Sequence, residues 1–301
     1  MTGRPSGLLV PITTPFDPAT GDVAPVALRE NARQVLTAGA SGLVAGGSTG
    51  EAALLSDDEF NHVLEWLRDV VTEDQWLIAG TGRESTRATV DACQAAAERG
   101  ADAALVRTPS YYAPNISGPA LLSHFRAVAD ESPIPILLYN MPKYTNLPIP
   151  DTLIASLSGH QNIWGAKDSS GDLKNFSMYR DAAPDGTMLM GSAARCYAAL
   201  ELGAAGTIAA VGCFAPAPVA RICARFFDGD RAGAGSIQEM VAPLHTGIVG
   251  KFGVAGVKAA MDAVGLQGGP VRAPLASLGD KGIGVVHKLL KTAGLAAVDA
   301  A

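Results

Sequence analysis

Four places in the chain put side chains able to do covalent or proton-transfer chemistry at or just beyond the end of a short apolar run. Ser48, Thr49 and Glu51 follow GLVAGG, Tyr111 and Tyr112 follow AALVRT, Tyr139 and Asn140 end PILLYN, and Lys167 and Asp168 follow IWGA. The lysine is the least expected of them. Burial at the end of an apolar strand disfavours a charged amine and lowers its pKa, which is the condition for a lysine that forms a Schiff base. Side chains alternate along a strand, so Asp168 faces away from Lys167 and need not keep the amine protonated. The plain alternative is a lysine snorkelling to solvent from a strand end, and composition alone favours that one.

The stretch GGSTGE at 46–51 has three readings. It fits G-x-S-x-G with Ser48 as a nucleophile between strand and helix. It also offers hydroxyls and free backbone N–H groups at a helix start, a nest for a carboxylate. The third is a glycine-rich turn with a hydroxyl cap. A hydrolase would need an aspartate and then a histidine downstream, and nothing local selects His245 or His287. The five histidines (His62, His124, His160, His245 and His287) form no H-x-H or H-E-x-x-H pattern, so each reads as a surface or capping residue and no metal is expected. No phosphate loop or dinucleotide fingerprint occurs, so no cofactor is expected either. Tyr111 and Tyr112 lie between Pro109 and Pro114, which stiffen their loop.

The elements that must position these groups follow a repeating pattern. Eight strand-length apolar runs begin near Leu8, Gly42, Trp76, Ala103, Pro135, Ile163, Thr187 and Gly206, at intervals of 19 to 34 residues. One βαβ step occupies about 30 residues. Runs without polar alternation are strands buried on both faces, as in parallel sheets. Helical stretches lie between them. Asp57–Thr72 opens with Ser56 and Glu59 in a capping-box pattern, and Ser85–Arg99 is closed by Gly100. Eight such steps in residues 1–225 give a (β/α)8 TIM barrel, with a doubly wound sheet as the competing arrangement. Residues 226–301 read as a C-terminal helical region. In a barrel, catalytic groups sit at the C-terminal strand ends, where all four clusters fall.

Composition narrows the partners. With 23 basic and 29 acidic residues the net charge is −6, and no run of Lys and Arg offers a surface for nucleic acid or an anionic membrane. Cys93, Cys196, Cys213 and Cys223 form no C-x-x-C pair, which points to a reducing, cytoplasmic setting. The N-terminal residues lack the apolar core of a signal peptide. The longest uncharged stretch, Leu202–Ala220, carries three glycines and two prolines and reads as strand, loop and helix start rather than a membrane span.

The ordered set GSTGE (47–51), TPSYY (108–112), LYNMP (138–142), GAKDSSGD (165–172), MGS (190–192) and GGPVRAPL (268–275) resembles the dihydrodipicolinate synthase and N-acetylneuraminate lyase superfamily of class I aldolases. The resemblance implies a (β/α)8 barrel, usually assembled as a tetramer of two dimers, whose lysine forms an imine with pyruvate or another 2-oxo acid. It makes Lys167 that lysine and Tyr139 the phenol that moves the proton of the reacting oxygen. Ser48 and Tyr111 would form a hydroxyl relay, with Tyr111 reaching in from a neighbouring subunit. Gly47, Ser48 and Thr49 would hold the 2-oxo acid carboxylate, and Ser169, Gly191 and Ile208 would shape the pocket.

One departure bears on substrate. Dihydrodipicolinate synthases carry an arginine two residues after the proline of LYNMP, where this chain has Tyr144. The KDSSGD form, the SYY spacing and the GGPVRAPL tail look closer to 4-hydroxy-2-oxoglutarate aldolases and 2-keto-3-deoxy sugar acid aldolases. The expected activity is therefore cleavage of a 4-hydroxy-2-oxo acid to pyruvate and an aldehyde, or the reverse. Dihydrodipicolinate synthesis or dehydration on the same imine is the alternative, and a Ser48 hydrolase is a distant one.

Overall fold

The computed structural model describes residues 3–295. Eight parallel strands close into a barrel: β1 (Gly7–Pro11), β2 (Gly42–Ala45), β3 (Trp76–Gly80), β4 (Ala103–Arg107), β5 (Ile136–Asn140), β6 (Ile163–Asp168), β7 (Thr187–Met190) and β8 (Gly206–Ile208). Each strand pairs with the next, and β8 returns to β1 through Gly7 opposite Gly206. A Cβ on Gly206 would lie 2.1 Å from the Gly7 carbonyl oxygen, so only glycine lets the ring shut there. This is the closed alternative of the two expected from the strand–helix alternation.

Two apolar layers follow from side-chain alternation. Leu9, Val44, Ile78, Leu105, Leu137, Leu189 and Ile208 fill the barrel interior, while the intervening residues pack outward against the surrounding helices. The helices form where caps and amphipathic spacing coincide. Asp57–Arg68 opens with a complete capping box, in which the Glu59 amide donates to Ser56 Oγ and the Ser56 amide to Glu59 Oε2. It ends four residues earlier than expected. Thr86–Glu98 is capped by Ser85, and Gly100 follows with φ +77°.

Leu202–Ala220 folds as expected into the end of a helix, β8, a short turn and the start of helix Pro216–Phe227. The 225/226 boundary lies inside that helix. Beyond it, Arg231–Ala263 is long and apolar enough to cross a membrane by length and composition alone. Pro243, a π-helical turn at His245–Gly250 and the non-helical Gly253 interrupt it, and Val241, Leu244, Ile248 and Met261 pack into the barrel's outer core. This run lies over the C-terminal mouth of the barrel, and helix Asp280–Thr292 packs behind it.

Candidate active site

Lys167 and Tyr139 are register partners on β6 and β5, so their side chains leave adjacent strands on the same side, into the barrel. Both are almost fully buried, at 4% and 5% exposure. The Lys167 Nζ lies 4.3 Å from the centroid of the Tyr139 ring. Asp168 faces the other way, as alternation requires, and accepts hydrogen bonds from Asn140 Nδ2, the Ser170 amide and Ser170 Oγ. It thereby ties β5 to the loop after β6, and no carboxylate among the described residues pairs with the amine.

Strict alternation does not describe the start of β6. Register shifts there, with Ile163 opposite Ile136 but Gly165 opposite Leu137, so Trp164 stands outside the pairing. Gly165 has φ +149°, and a Cβ on it would lie 2.1 Å from the Thr187 carbonyl oxygen. This bulge lets Trp164 and Lys167, three residues apart, both face the interior.

Ser48 lies in a turn of 3-10 helix, Ser48–Gly50, after the extended Gly47. Its Oγ is 3.4 Å from the Tyr139 hydroxyl. The first amide used within the turn is that of Gly50, which donates to the Gly47 carbonyl; the Ser48 and Thr49 amides precede it. Burial opposes ionisation of Tyr139, but the Lys167 ammonium and the hydroxyls of Ser48 and Ser169 outweigh it and lower the phenol below its ordinary value.

The turn ends on Glu51, whose φ of +56° is left-handed. A buried ion pair holds it there. Lys258 Nζ lies 2.6 Å from Glu51 Oε1 and donates to the Pro270 carbonyl, while the Arg272 amide donates to Glu51 Oε2. Burial pushes the Lys258 pKa down and Glu51 opposes the shift. Arg272 in turn pairs with Glu59 through two hydrogen bonds, and Phe16 lies beneath both cations. The C-terminal residues therefore brace the turn that carries Ser48 and Thr49.

A cavity of about 250 Å³ opens over Lys167 and Tyr139 and is lined by Ser48, Thr49, Ser169, Gly191, Ile208 and Tyr144 among others. Gly191 is tightly enclosed there, since a Cβ would fall 2.0 Å from Ser169 Oγ, 2.8 Å from Ser169 Cβ and 2.9 Å from the Asp168 carbonyl oxygen. Gly47 lines an adjoining cavity of about 470 Å³ that shares Ser48, Tyr139 and Tyr144. Tyr144 is half exposed at the mouth; burial first, then the charge of Tyr139, raises its pKa. Tyr111 does not join the others within its own chain. It is 79% exposed at the tip of the loop after β4, stacked edge-on against Tyr112. Glu84 fixes that loop by accepting from the Ser110 and Tyr111 amides, Ser110 Oγ and Arg107. Burial opposes its charge, yet these donors prevail and hold its pKa at about 2.

Two readings of the histidines are corrected. His245 and His124 are not surface or capping residues: each is packed into the fold, and burial pulls each pKa down to about 4. His245 forms part of the cavity wall because the π-helical turn carries it there, with its Nε2 3.1 Å from Ser192 Oγ. No triad forms at Ser48, whose partner is a phenol rather than an imidazole. Among the described residues no cluster of His, Cys, Asp and Glu could hold a metal ion. Glu84 and Lys258 carry no motif that would select them from sequence, whereas Ser192 closes the MGS stretch and Lys143 follows LYNMP.

Fold and site together define a barrel enzyme that works on a carbon–carbon bond, a lyase of the aldolase class. Comparison with known proteins narrows it. Residues 4–293 match the dihydrodipicolinate synthetase family, and the chain belongs to that family. It is 36% identical to a 4-hydroxy-tetrahydrodipicolinate synthase of Methanothrix thermoacetophila over 91% of this chain and 92% of that one. It is 34% identical to an uncharacterized DapA-like lyase of Halobacterium salinarum over 91% and 89%. The crystal structure of the chloride-inhibited dihydrodipicolinate synthase from Acinetobacter baumannii, complexed with pyruvate, superposes with a TM-score of 0.92 at 30% identity, covering 96% of this chain and 99% of that one.

Proposed function

We propose that the chain cleaves a 4-hydroxy-2-oxo acid to pyruvate and an aldehyde through an imine on Lys167, or runs the reverse condensation. The Lys167 amine adds to the C2 carbonyl, water leaves, and an iminium forms. Tyr139 takes the C4 hydroxyl proton as the C3–C4 bond breaks, and the bonding pair passes to the iminium nitrogen as an enamine. The aldehyde departs, C3 is protonated, and hydrolysis returns the amine and releases pyruvate. A free phenol has a pKa near 10, so the lowered value at Tyr139 and its contact with Ser48 support a proton relay through these groups. Tyr111 of a neighbouring subunit completes the relay, and the Ser48 and Thr49 amides and hydroxyls receive the 2-oxo acid carboxylate.

The observation that carries the choice of substrate is the charge of the cavity lining. It contains Lys143 and Lys167, no Asp or Glu, and Tyr144 where the family's synthases carry arginine. In this lining the ammonium of aspartate semialdehyde finds no counter-charge and its carboxylate no guanidinium, and the Glu51 and Arg107 of the adjoining cavity are already paired with Lys258 and Glu84. A charged hydrogen bond contributes roughly 1.5–3 kcal/mol, so loss of a bidentate contact weakens that substrate by tenfold or more. The relatives' names favour the second reading, dihydrodipicolinate synthesis, in which Lys143 would serve as a point charge.

A substrate panel separates the two. Pyruvate release from at least one 4-hydroxy-2-oxo acid should exceed condensation with aspartate semialdehyde in kcat/KM, and Tyr144→Arg should shift the ratio toward the semialdehyde. Efficient wild-type condensation with no cleavage across the panel would overturn the first reading and establish the second. The same account has the chain working as a homotetramer in the cytoplasm. Exposed Tyr111 and Tyr112 on a fixed loop suit a subunit contact, and four free, buried cysteines suit a reducing compartment.

A further inference from the structure

Lys167 and Asp168 are the last two residues of β6, and alternation gives one of them to the barrel and the other to the helix layer. The lower half of the strand does not decide which. The bulge at Gly165 breaks the pleat there, so the inward side chain of Trp164 leaves the facing of Lys167 open. Polarity does not decide it either, since both side chains are charged and both are almost fully buried.

The choice is made at Asp168. Its carboxylate accepts from Asn140 Nδ2 at 2.8 Å, from the Ser170 amide at 3.0 Å and from Ser170 Oγ at 2.7 Å. Asn140 is its register partner on β5, buried like it to 1% exposure, so the two strand ends present Tyr139 and Lys167 to one side and Asn140 and Asp168 to the other. A carboxylate only accepts, so the end of the Asn140 amide that meets it must be Nδ2, and Oδ1 is turned to the Ile149 amide at 3.0 Å. The main chain repeats the tie: the Ser169 amide donates to the Asn140 carbonyl and the Gly191 amide to the Asp168 carbonyl. Between Asn140 and Ile149 runs the segment with the short helix Pro142–Thr145, whose Lys143 and Tyr144 lie on the cavity wall.

We propose that Asp168 is a positioning residue of the site. Held outward by Asn140 and Ser170, it keeps Lys167 turned into the barrel and its own charge out of the amine's reach, and through Asn140 it closes the segment that presents Lys143 and Tyr144. It touches no substrate atom. This rests on the imine at Lys167 and adds what aims the amine.

Rapid-quench trapping tests it. Borohydride is added at set times after pyruvate, and intact mass counts the adduct, which separates the rate of imine formation from the fraction of chains able to form it. Asn140→Asp removes the Nδ2 donor and sets two carboxylates face to face, so it should slow imine formation about tenfold or more. The labelled fraction should still reach one adduct per chain, and the pyruvate concentration for half-saturation should stay within about threefold, because the carboxylate is received at Ser48 and Thr49. Adding Asp168→Asn to Asn140→Asp exchanges donor and acceptor across the same contact and should recover at least about threefold of the lost rate, a rescue open only to groups that act as a pair. Slowing of less than about threefold in Asn140→Asp, or no recovery in the double variant, overturns the proposal and leaves the imine intact. A loss seen only as a smaller labelled fraction overturns it too, since the contact would then serve folding alone. Absence of any pyruvate adduct on the wild type overturns the imine itself and the positioning role with it.

Discussion

Replacing Lys258 by methionine removes the positive half of an ion pair whose side chains are 2% and 0% exposed, and leaves the Glu51 carboxylate sealed in the fold. The Arg272 amide still donates to Glu51 Oε2, but Oε1 loses its ion-pair partner and the Pro270 carbonyl loses the Lys258 ammonium as donor. Breaking one side of a buried pair costs about 3–5 kcal/mol, some two to four powers of ten in the folding equilibrium. Urea unfolding of the wild type and Lys258→Met, with the slope unchanged and the midpoint shifted, measures that loss. Glu51→Gln combined with Lys258→Met removes the stranded charge and should recover a large part of it, a non-additivity expected of groups in contact. Because Glu51 anchors the Ser48–Gly50 turn, Lys258→Met should also raise the pyruvate concentration needed for half-maximal trapping. A loss below about 1 kcal/mol, or a double variant as unstable as the sum of the two singles, would refute the reasoning.

Mixing inactive Lys167→Ala chains with inactive Tyr111→Phe chains should restore part of the activity in hybrid oligomers; no recovery after verified subunit exchange would count against a shared site. Glu84→Gln should destabilise the fold by only ~1 kcal/mol, because its carboxylate is partly exposed. That deficit should be present above the ordinary glutamate pKa of 4.5 and vanish as pH falls through about 2, since the native-state pKa is the depressed one. A deficit that persists unchanged at pH 2 would mean that packing, not the charge, holds the Tyr111 loop.

Much of the fold was legible because strand-length apolar runs recur at the spacing of a βαβ step, and each of the eight runs begins within a residue of its strand. Lys167 and Tyr139 stood out because a charge and a phenol end runs that are otherwise apolar. Their adjacency came from register, which no local pattern reports. The bulge at Gly165 was hidden because alternation assumes an unbroken pleat, and Trp164 turns inward only because the glycine lets the strand slip. His245 was misread for a different reason. Its partner Ser192 lies 53 residues away, and the π-helical turn that delivers it to the cavity wall has no sequence signature comparable to a cap or a proline. Lys258 was similarly obscure, since a lysine on an apolar helix reads as a solvent-facing charge until the long-range contact with Glu51 is seen.

The central claim is that Lys167 forms a covalent imine with a 2-oxo acid, and reductive trapping tests it most directly. Incubation with pyruvate and borohydride, followed by intact mass and peptide mapping, should give one adduct per chain, located on Lys167 and absent from Lys167→Ala. A label on Lys143, Lys251 or Lys258, or undiminished labelling of Lys167→Ala, would contradict it.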